Sequence, residues 1–170
     1  MKVTRKKSIK KQNSQTIAQQ QDYGKSAFDY TGNKVTANKS QRRRQIVFDE
    51  ALNKIFQEVL ERMSKDDASR YFEVVPSSKH YPTYAKIIEK PIAMREMRNK
   101  TKRMDYKSKE AFLGDIELMV NNAKQFNPPI NGEVQLIVRH AEGLLKIALD
   151  AMEARKDDIA TLEVANNPLL

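Results

Sequence analysis

Residues 72–92 read Phe72-Glu-Val-Val-Pro76-Ser-Ser-Lys-His-Tyr-Pro82-Thr-Tyr84-Ala-Lys-Ile-Ile88-Glu-Lys-Pro91-Ile92. Pro76, Pro82 and Pro91 block a regular helix here. Yet the stretch holds Phe72, Val74, Val75, Tyr81, Tyr84, Ile87 and Ile88, and a segment this apolar cannot hang in water. A long ordered loop inside a compact domain is usually functional. The run therefore predicts a loop that packs on a core and builds a pocket.

On either side the periodicity is helical. From Gln41 onward, Phe48, Leu52, Ile55, Phe56, Val59, Leu60 and Met63 form one apolar stripe over more than four turns. It runs out near Ser64-Lys65-Asp66-Asp67. After Pro91 a short helix turns Met94 and Met97 inward. Ser108 reads as an N-cap, with Glu110 and Asp115 early in the helix it opens. Phe112, Ile116, Met119, Val120 and Ala123 are the stripe of that helix, and Asn127-Pro128-Pro129 breaks it. The last helix is expected from Gly132-Glu133, lined by Val134, Ile137, Val138, Ala141, Leu144, Leu145 and Ala148, and continuing through Met152, Ile159 and Leu162. The sum is all-α: four helices, one long first crossover, no strands.

The charge is unevenly placed. Residues 1–44 hold 12 Lys and Arg against 2 Asp and Glu, a balance of +10. Of the chain's 31 basic and 22 acidic residues, 19 and 20 remain for the rest, a balance of −1. A near-neutral bundle has no evident phosphate-binding face. Residues 1–40 are rich in Lys, Gln, Ser, Asn and Thr, without periodicity, and are expected to be a disordered basic tail. Its clusters Arg5-Lys6-Lys7 and Lys10-Lys11, with Arg42-Arg43-Arg44 beyond it, suit a nuclear address, DNA phosphates or a solvated linker. The bundle is placed at 41–156, with a helical extension or tail at 157–170. The chain has no cysteine, which excludes disulfides and fits an intracellular setting. With two histidines, His80 and His140, both expected on the surface, no zinc site is expected. Neither a signal peptide nor a membrane span is expected.

These motifs, in this order and spacing, resemble the bromodomain family. The 72–92 run is similar to the loop between the first two bromodomain helices, in the short form of the polybromo and remodelling-ATPase type. Tyr106-Lys-Ser108, Phe112, Asp115, Leu118, Asn122-Ala123 and Phe126-Asn127 resemble the third helix with its acetyl-lysine asparagine. The match runs from about Gln41 to Met152. It implies a left-handed four-helix bundle that reads acetyl-lysine in chromatin. Arg42-Arg43-Arg44 and Leu162-Glu-Val-Ala-Asn-Asn167-Pro168-Leu-Leu170 also resemble segments flanking a bromodomain of the largest TFIID subunits. That implies a role in transcription initiation, and a much larger parent protein. The chain departs from the family at Arg70-Tyr71-Phe72 in place of Trp-Pro-Phe, and at Thr83-Tyr84-Ala85 in place of Asp-Tyr-Tyr. It departs again at Pro91-Ile92-Ala93-Met94, which lacks an acidic residue at the helix start, and in a lengthened loop after Asn127. The first two departures should alter ligand choice and the third stability.

The resemblance assigns roles. Asn127 donates its side-chain amide to the acetyl carbonyl. Tyr84 holds the same carbonyl through a bridging water. Phe72, Val75 and Phe126 line the cavity. The wall falls to Val134 or to Ile137, because the loop length blurs the alignment. Taken alone, each has a plainer reading: Asn127 as a helix end before two prolines, Tyr84 as a half-buried loop tyrosine, Phe72 and Val75 as core plugs. Glu73 and Glu133 either edge the pocket and favour cationic peptides or are simply solvated. The implied partners are acetylated histone tails or other acetylated nuclear proteins, other transcription-complex subunits, and DNA through the tail. The competing function is a structural bundle of a transcription complex with an altered pocket, motivated by Arg70, Ala85 and the longer loop. No nucleophile–base pair, metal cluster, cofactor motif or glycine-rich phosphate loop points to an enzyme.

Overall fold

A computed structural model describes residues 36–167. The tail segment 1–35, with its Arg5-Lys6-Lys7 and Lys10-Lys11 clusters, and residues 168–170 lie outside the described residues. Among those described are six helices and no strand: α1 (Thr36–Met63), α2 (Tyr84–Ile87), α3 (Met94–Lys102), α4 (Lys109–Phe126), α5 (Leu136–Glu153) and α6 (Lys156–Asn166). From Arg43 onward the chain forms one compact unit.

The four expected helices are α1, α3, α4 and α5, and the details differ at their ends. α1 starts at Thr36, five residues ahead of Gln41. The first crossover is less irregular than its prolines suggest. It opens with a 3-10 turn at Asp67–Tyr71, capped by the Asp66 carboxylate, and carries the single-turn α2. α5 starts at Leu136 and not at Gly132, because residues 130–133 close a tight turn. The last helix breaks at Ala154-Arg155 into α5 and α6. No glycine or proline interrupts it there. The Arg155 guanidinium sits at the break, 3.4 Å from Glu58 of α1 and 3.1 Å from Asp158.

The core follows from the stripes. Leu52, Phe56, Val59, Leu60 and Met63 of α1 are buried, as are Met94 and Met97 of α3 and Phe112, Ile116 and Met119 of α4. Ala141, Leu144 and Ala148 bring α5 against them, and Ile159 of α6 closes the same cluster. Small residues on α5 let it approach α4, the helix it packs against most extensively. Phe56 stacks on Phe112 with centroids 4.4 Å apart, and Tyr106 meets both rings edge-on at 5.9 and 5.3 Å. Such pairs are worth about 0.5–1.5 kcal/mol each beyond burial.

A buried polar seam pins α1 to the segment before α4. Asn53, 1% exposed, donates through Nδ2 to the carbonyls of Asp49 and Tyr106, both at 2.8 Å. Lys107 reaches the Asp49 carboxylate at 2.6 Å. The Tyr106 hydroxyl donates to Asp115 at 2.6 Å, and Lys100 bonds the same oxygen at 2.6 Å. Ser108 caps α4 as its position suggested, its hydroxyl accepting from the Ala111 N–H at 3.2 Å.

Candidate ligand pocket between the first crossover and the fourth and fifth helices

The crossover is held down by its backbone as much as by its apolar side chains. Ala93, at the start of α3, has no side-chain cap to offer. The first amides of α3 bond instead to the crossover: Met94 N–H to the Phe72 carbonyl at 2.9 Å and Arg95 N–H to that of Glu73 at 3.1 Å. Orphan donors at a helix start must find some acceptor, so the missing acidic residue is replaced by loop carbonyls. From α4, Asn122 donates to the Lys90 carbonyl at 2.9 Å and Gln125 to that of Ile87 at 2.9 Å. Glu73 pairs with Arg98 of α3, which occupies the carboxylate that was a candidate for cationic ligands.

Between this anchored loop and the α4–α5 junction lies a cavity of about 390 Å³. Six of the residues singled out by sequence line it: Phe72, Val75, Tyr84, Phe126, Asn127 and Ile137. Val134, the other candidate for the wall, does not line it and stands 42% exposed in the loop before α5. The helix register explains the difference. The turn at 130–133 delays α5 to Leu136, so Ile137 sits in its first turn beside the cavity, while Val134 precedes the helix. Phe72 serves both readings, being a member of the core cluster and a lining residue.

Other lining residues escaped the sequence reading. Met119 and Ala123 precede Asn127 by eight and four positions, so the three share one face of α4, and that spacing was the available signal. Ile92 and Ala93 add apolar lining from the other side. At the rim stand Tyr71, Tyr81, Ser77 and His80. Tyr71 takes the position of the family proline. It is half exposed, its hydroxyl accepts from Arg70 at 3.0 Å, and its ring meets His140 edge-on at 5.7 Å. His140 is thus partly buried, whereas His80 is on the surface and shares a 2.9 Å hydrogen bond with Ser77.

The polar groups are few and oriented. Asn127 ends α4 with φ −123° and ψ 72°. Its Nδ2 donates to the Ala123 carbonyl at 2.8 Å. Only the nitrogen can donate to a carbonyl, so this bond fixes which way the amide faces, and Nδ2 keeps a second N–H. Tyr84 is buried, its ring edge-on to Phe126 at 4.9 Å, and that burial pushes its phenol above the usual tyrosine range. Tyr84 is therefore a neutral hydroxyl at any physiological pH. An apolar chamber with one oriented amide and one neutral hydroxyl suits a neutral ligand with a strong acceptor. Among the described residues no group of His, Asp and Glu has the makings of a metal site.

Residues 56–138 match the family profile of the bromodomain. This segment is a bromodomain. The chain's bromodomain is similar to "Structure of Bromodomain from human BAZ1A", at 27% identity and a TM-score of 0.53, covering 59% of this chain and 90% of that one. Chromatin structure-remodeling complex subunit rsc4 of Schizosaccharomyces pombe is 44% identical over 80 residues, which are 44% of this chain and 15% of that protein. Transcription initiation factor TFIID subunit 1 of Caenorhabditis elegans is 30% identical over 119 residues, 70% of this chain and 7% of that protein. The chain thus spans a small fraction of these curated relatives. Their names place the relatives of this bromodomain in chromatin remodelling and transcription initiation.

Proposed function

We propose that the cavity takes the acetylated side chain of lysine and that the chain is a reader module, not an enzyme. The observation that carries this is the Asn127 amide at the edge of an apolar chamber, turned by the Ala123 carbonyl so that one N–H remains for a ligand. The acetyl carbonyl accepts from that N–H. Tyr84 reaches the same oxygen through a water, a contact nearly as favourable as a direct bond. Phe72, Val75, Phe126 and Ile137 enclose the methylene stem, and Met119 and Ala123 lie beneath it. Unmodified lysine is rejected because its ammonium would lose water without gaining a carboxylate, at a cost of several kcal/mol. So few polar groups take part that the affinity is expected on the order of 10–100 µM, roughly −5.5 to −7 kcal/mol.

The natural ligands in this reading are acetylated histone tails or other acetylated nuclear proteins, met in the nucleus beside other subunits of a transcription or remodelling complex. Calorimetric titration with acetylated histone H3 and H4 tail peptides tests it. Binding is expected only with the acetyl group, and Asn127→Ala is expected to weaken it by about tenfold or more, the value of one buried hydrogen bond. If a folded chain binds no acetylated peptide, the reading fails and the bundle is a structural part of its complex.

A further inference from the structure

α6 lies antiparallel beside α1 and is tied to it at both ends. Asn166 donates to the Gln45 side chain at 3.2 Å, and Arg155 meets Glu58 at 3.4 Å. Ile159 and Leu162 hold α6 on the core. A groove of about 260 Å³ runs between the two helices, lined by Arg43, Arg44, Val47, Phe48, Leu162 and Ala165. It shares no residue with the cavity at Asn127. Val47 stands outside the buried stripe of α1 and is 62% exposed, with Ile46 beside it 54% exposed and Val164 of α6 61% exposed. Core packing does not account for these aliphatic side chains, and an apolar face with a groove marks a contact surface.

We propose that this face pairs with the same face of a second copy of the chain, in a two-fold dimer centred on Val47. The argument is the placement of charge about that residue. Arg44 precedes Val47 by three positions and Glu50 follows it by three, and both are exposed. On a helix these offsets put them about 60° to either side of Val47 and about 4.5 Å to either side along the axis. A two-fold axis through Val47 sets α1 antiparallel to its copy. It carries the Glu50 of one copy to the place beside the Arg44 of the other, and the reverse. An isologous contact needs such self-complementarity, and here one rotation satisfies both pairs at once. The same rotation brings Arg43 over the second copy's Ala51, where no like charge opposes it. Each Val47 then meets the groove of the other copy, whose apolar lining comes from Val47, Phe48, Leu162 and Ala165. The charge balance of −1 beyond position 44 leaves the two bundles without net repulsion. The contact uses none of the residues of the Asn127 cavity, so a dimer presents two such cavities, and the inference stands apart from the acetyl-lysine reading.

The test is sedimentation of the full chain from about 5 to 500 µM, the range in which a small interface associates. The mass is expected to rise from monomer to dimer across that range. Val47→Glu is expected to weaken the association by about tenfold or more, since it buries a carboxylate in an apolar groove. Arg44→Glu and Glu50→Arg are each expected to stay monomeric alone, because each sets like charges face to face. Mixed together they are expected to form a heterodimer, and the double variant Arg44→Glu, Glu50→Arg to dimerise again. All three positions are exposed, and circular dichroism checks the fold of each variant. A chain that stays monomeric throughout overturns the proposal and leaves the groove to another kind of molecule. A dimer that Val47→Glu does not weaken places the contact elsewhere and overturns it too. So does a mixture of the two single charge variants that fails to associate, because the pairing of Arg44 with the second copy's Glu50 is what sets the register.

Discussion

Asn127 shows how little chemistry this site needs and how much of it is orientation. The residue ends a helix, and its side chain folds back on the carbonyl one turn earlier. Sequence alone allowed the plain reading of a helix end before two prolines. The cavity that Asn127 lines is what supports the proposed ligand-binding role over the plain one. Tyr106 makes a second case at this scale. Burial, and then its hydrogen bond to Asp115, push its phenol far above the usual value near 10. A raised value in the folded state means that the unfolded chain releases this proton first. The stabilisation is therefore complete below pH 10 and is lost as pH rises past 10 towards the folded value. Thermal unfolding between pH 8 and 11 should show a steeper fall of Tm above pH 10 in the native chain than in Tyr106→Phe. Parallel curves would place the phenol outside the linkage.

At the scale of elements, the helices follow their stripes and the loops do not follow their prolines. α4 runs from Lys109 to Phe126 because the Ser108 hydroxyl caps its start and Pro128-Pro129 cannot continue it. α5 starts about four residues later than its apolar spacing predicts, because Val134 continues the spacing of Ile137 and Ala141 without joining the helix. The competing signal is Asn131-Gly132, a hairpin dipeptide whose turn the backbone forms in spite of the apolar period. The consequence is testable. A Cβ at Gly132 would meet nothing within 4 Å, so Gly132→Ala costs only backbone strain at φ +80°. That is about 1 kcal/mol, and it should appear as roughly fivefold faster hydrogen exchange at the Ile130 and Glu133 amides with little change elsewhere. Exchange that is unchanged would mean that the turn is not held as described.

On the scale of the whole molecule, the basic charge and the pocket belong to different parts of the chain. The 19 basic and 20 acidic residues after position 44 leave the bundle near neutrality, and an acetylated side chain carries no charge. Affinity for a short, neutral acetylated peptide should therefore change less than twofold between 50 and 200 mM salt. A protein making several phosphate contacts would lose orders of magnitude over that range. A steep salt dependence would move the binding away from the cavity. At ten times its dissociation constant the peptide adds about 1.4 kcal/mol to stability, a rise in Tm of a few degrees for a chain of this size.

The sequence by itself determined the all-α class, the order of the main helices, the stop at Asn127 and most of the residues that meet in the cavity. Those properties depend on local period, capping and chain breakers, which neighbouring residues decide among themselves. Only the tertiary structure decided that Ile137 and not Val134 faces the chamber, that Met119 and Ala123 line it, and that Glu73 is taken by Arg98. It also decided that loop carbonyls stand in for the missing cap of α3. Each of these depends on where the crossover settles against α3 and α4. Its position is set by hydrogen bonds between residues 22 to 38 positions apart, and no local pattern in the chain encodes them.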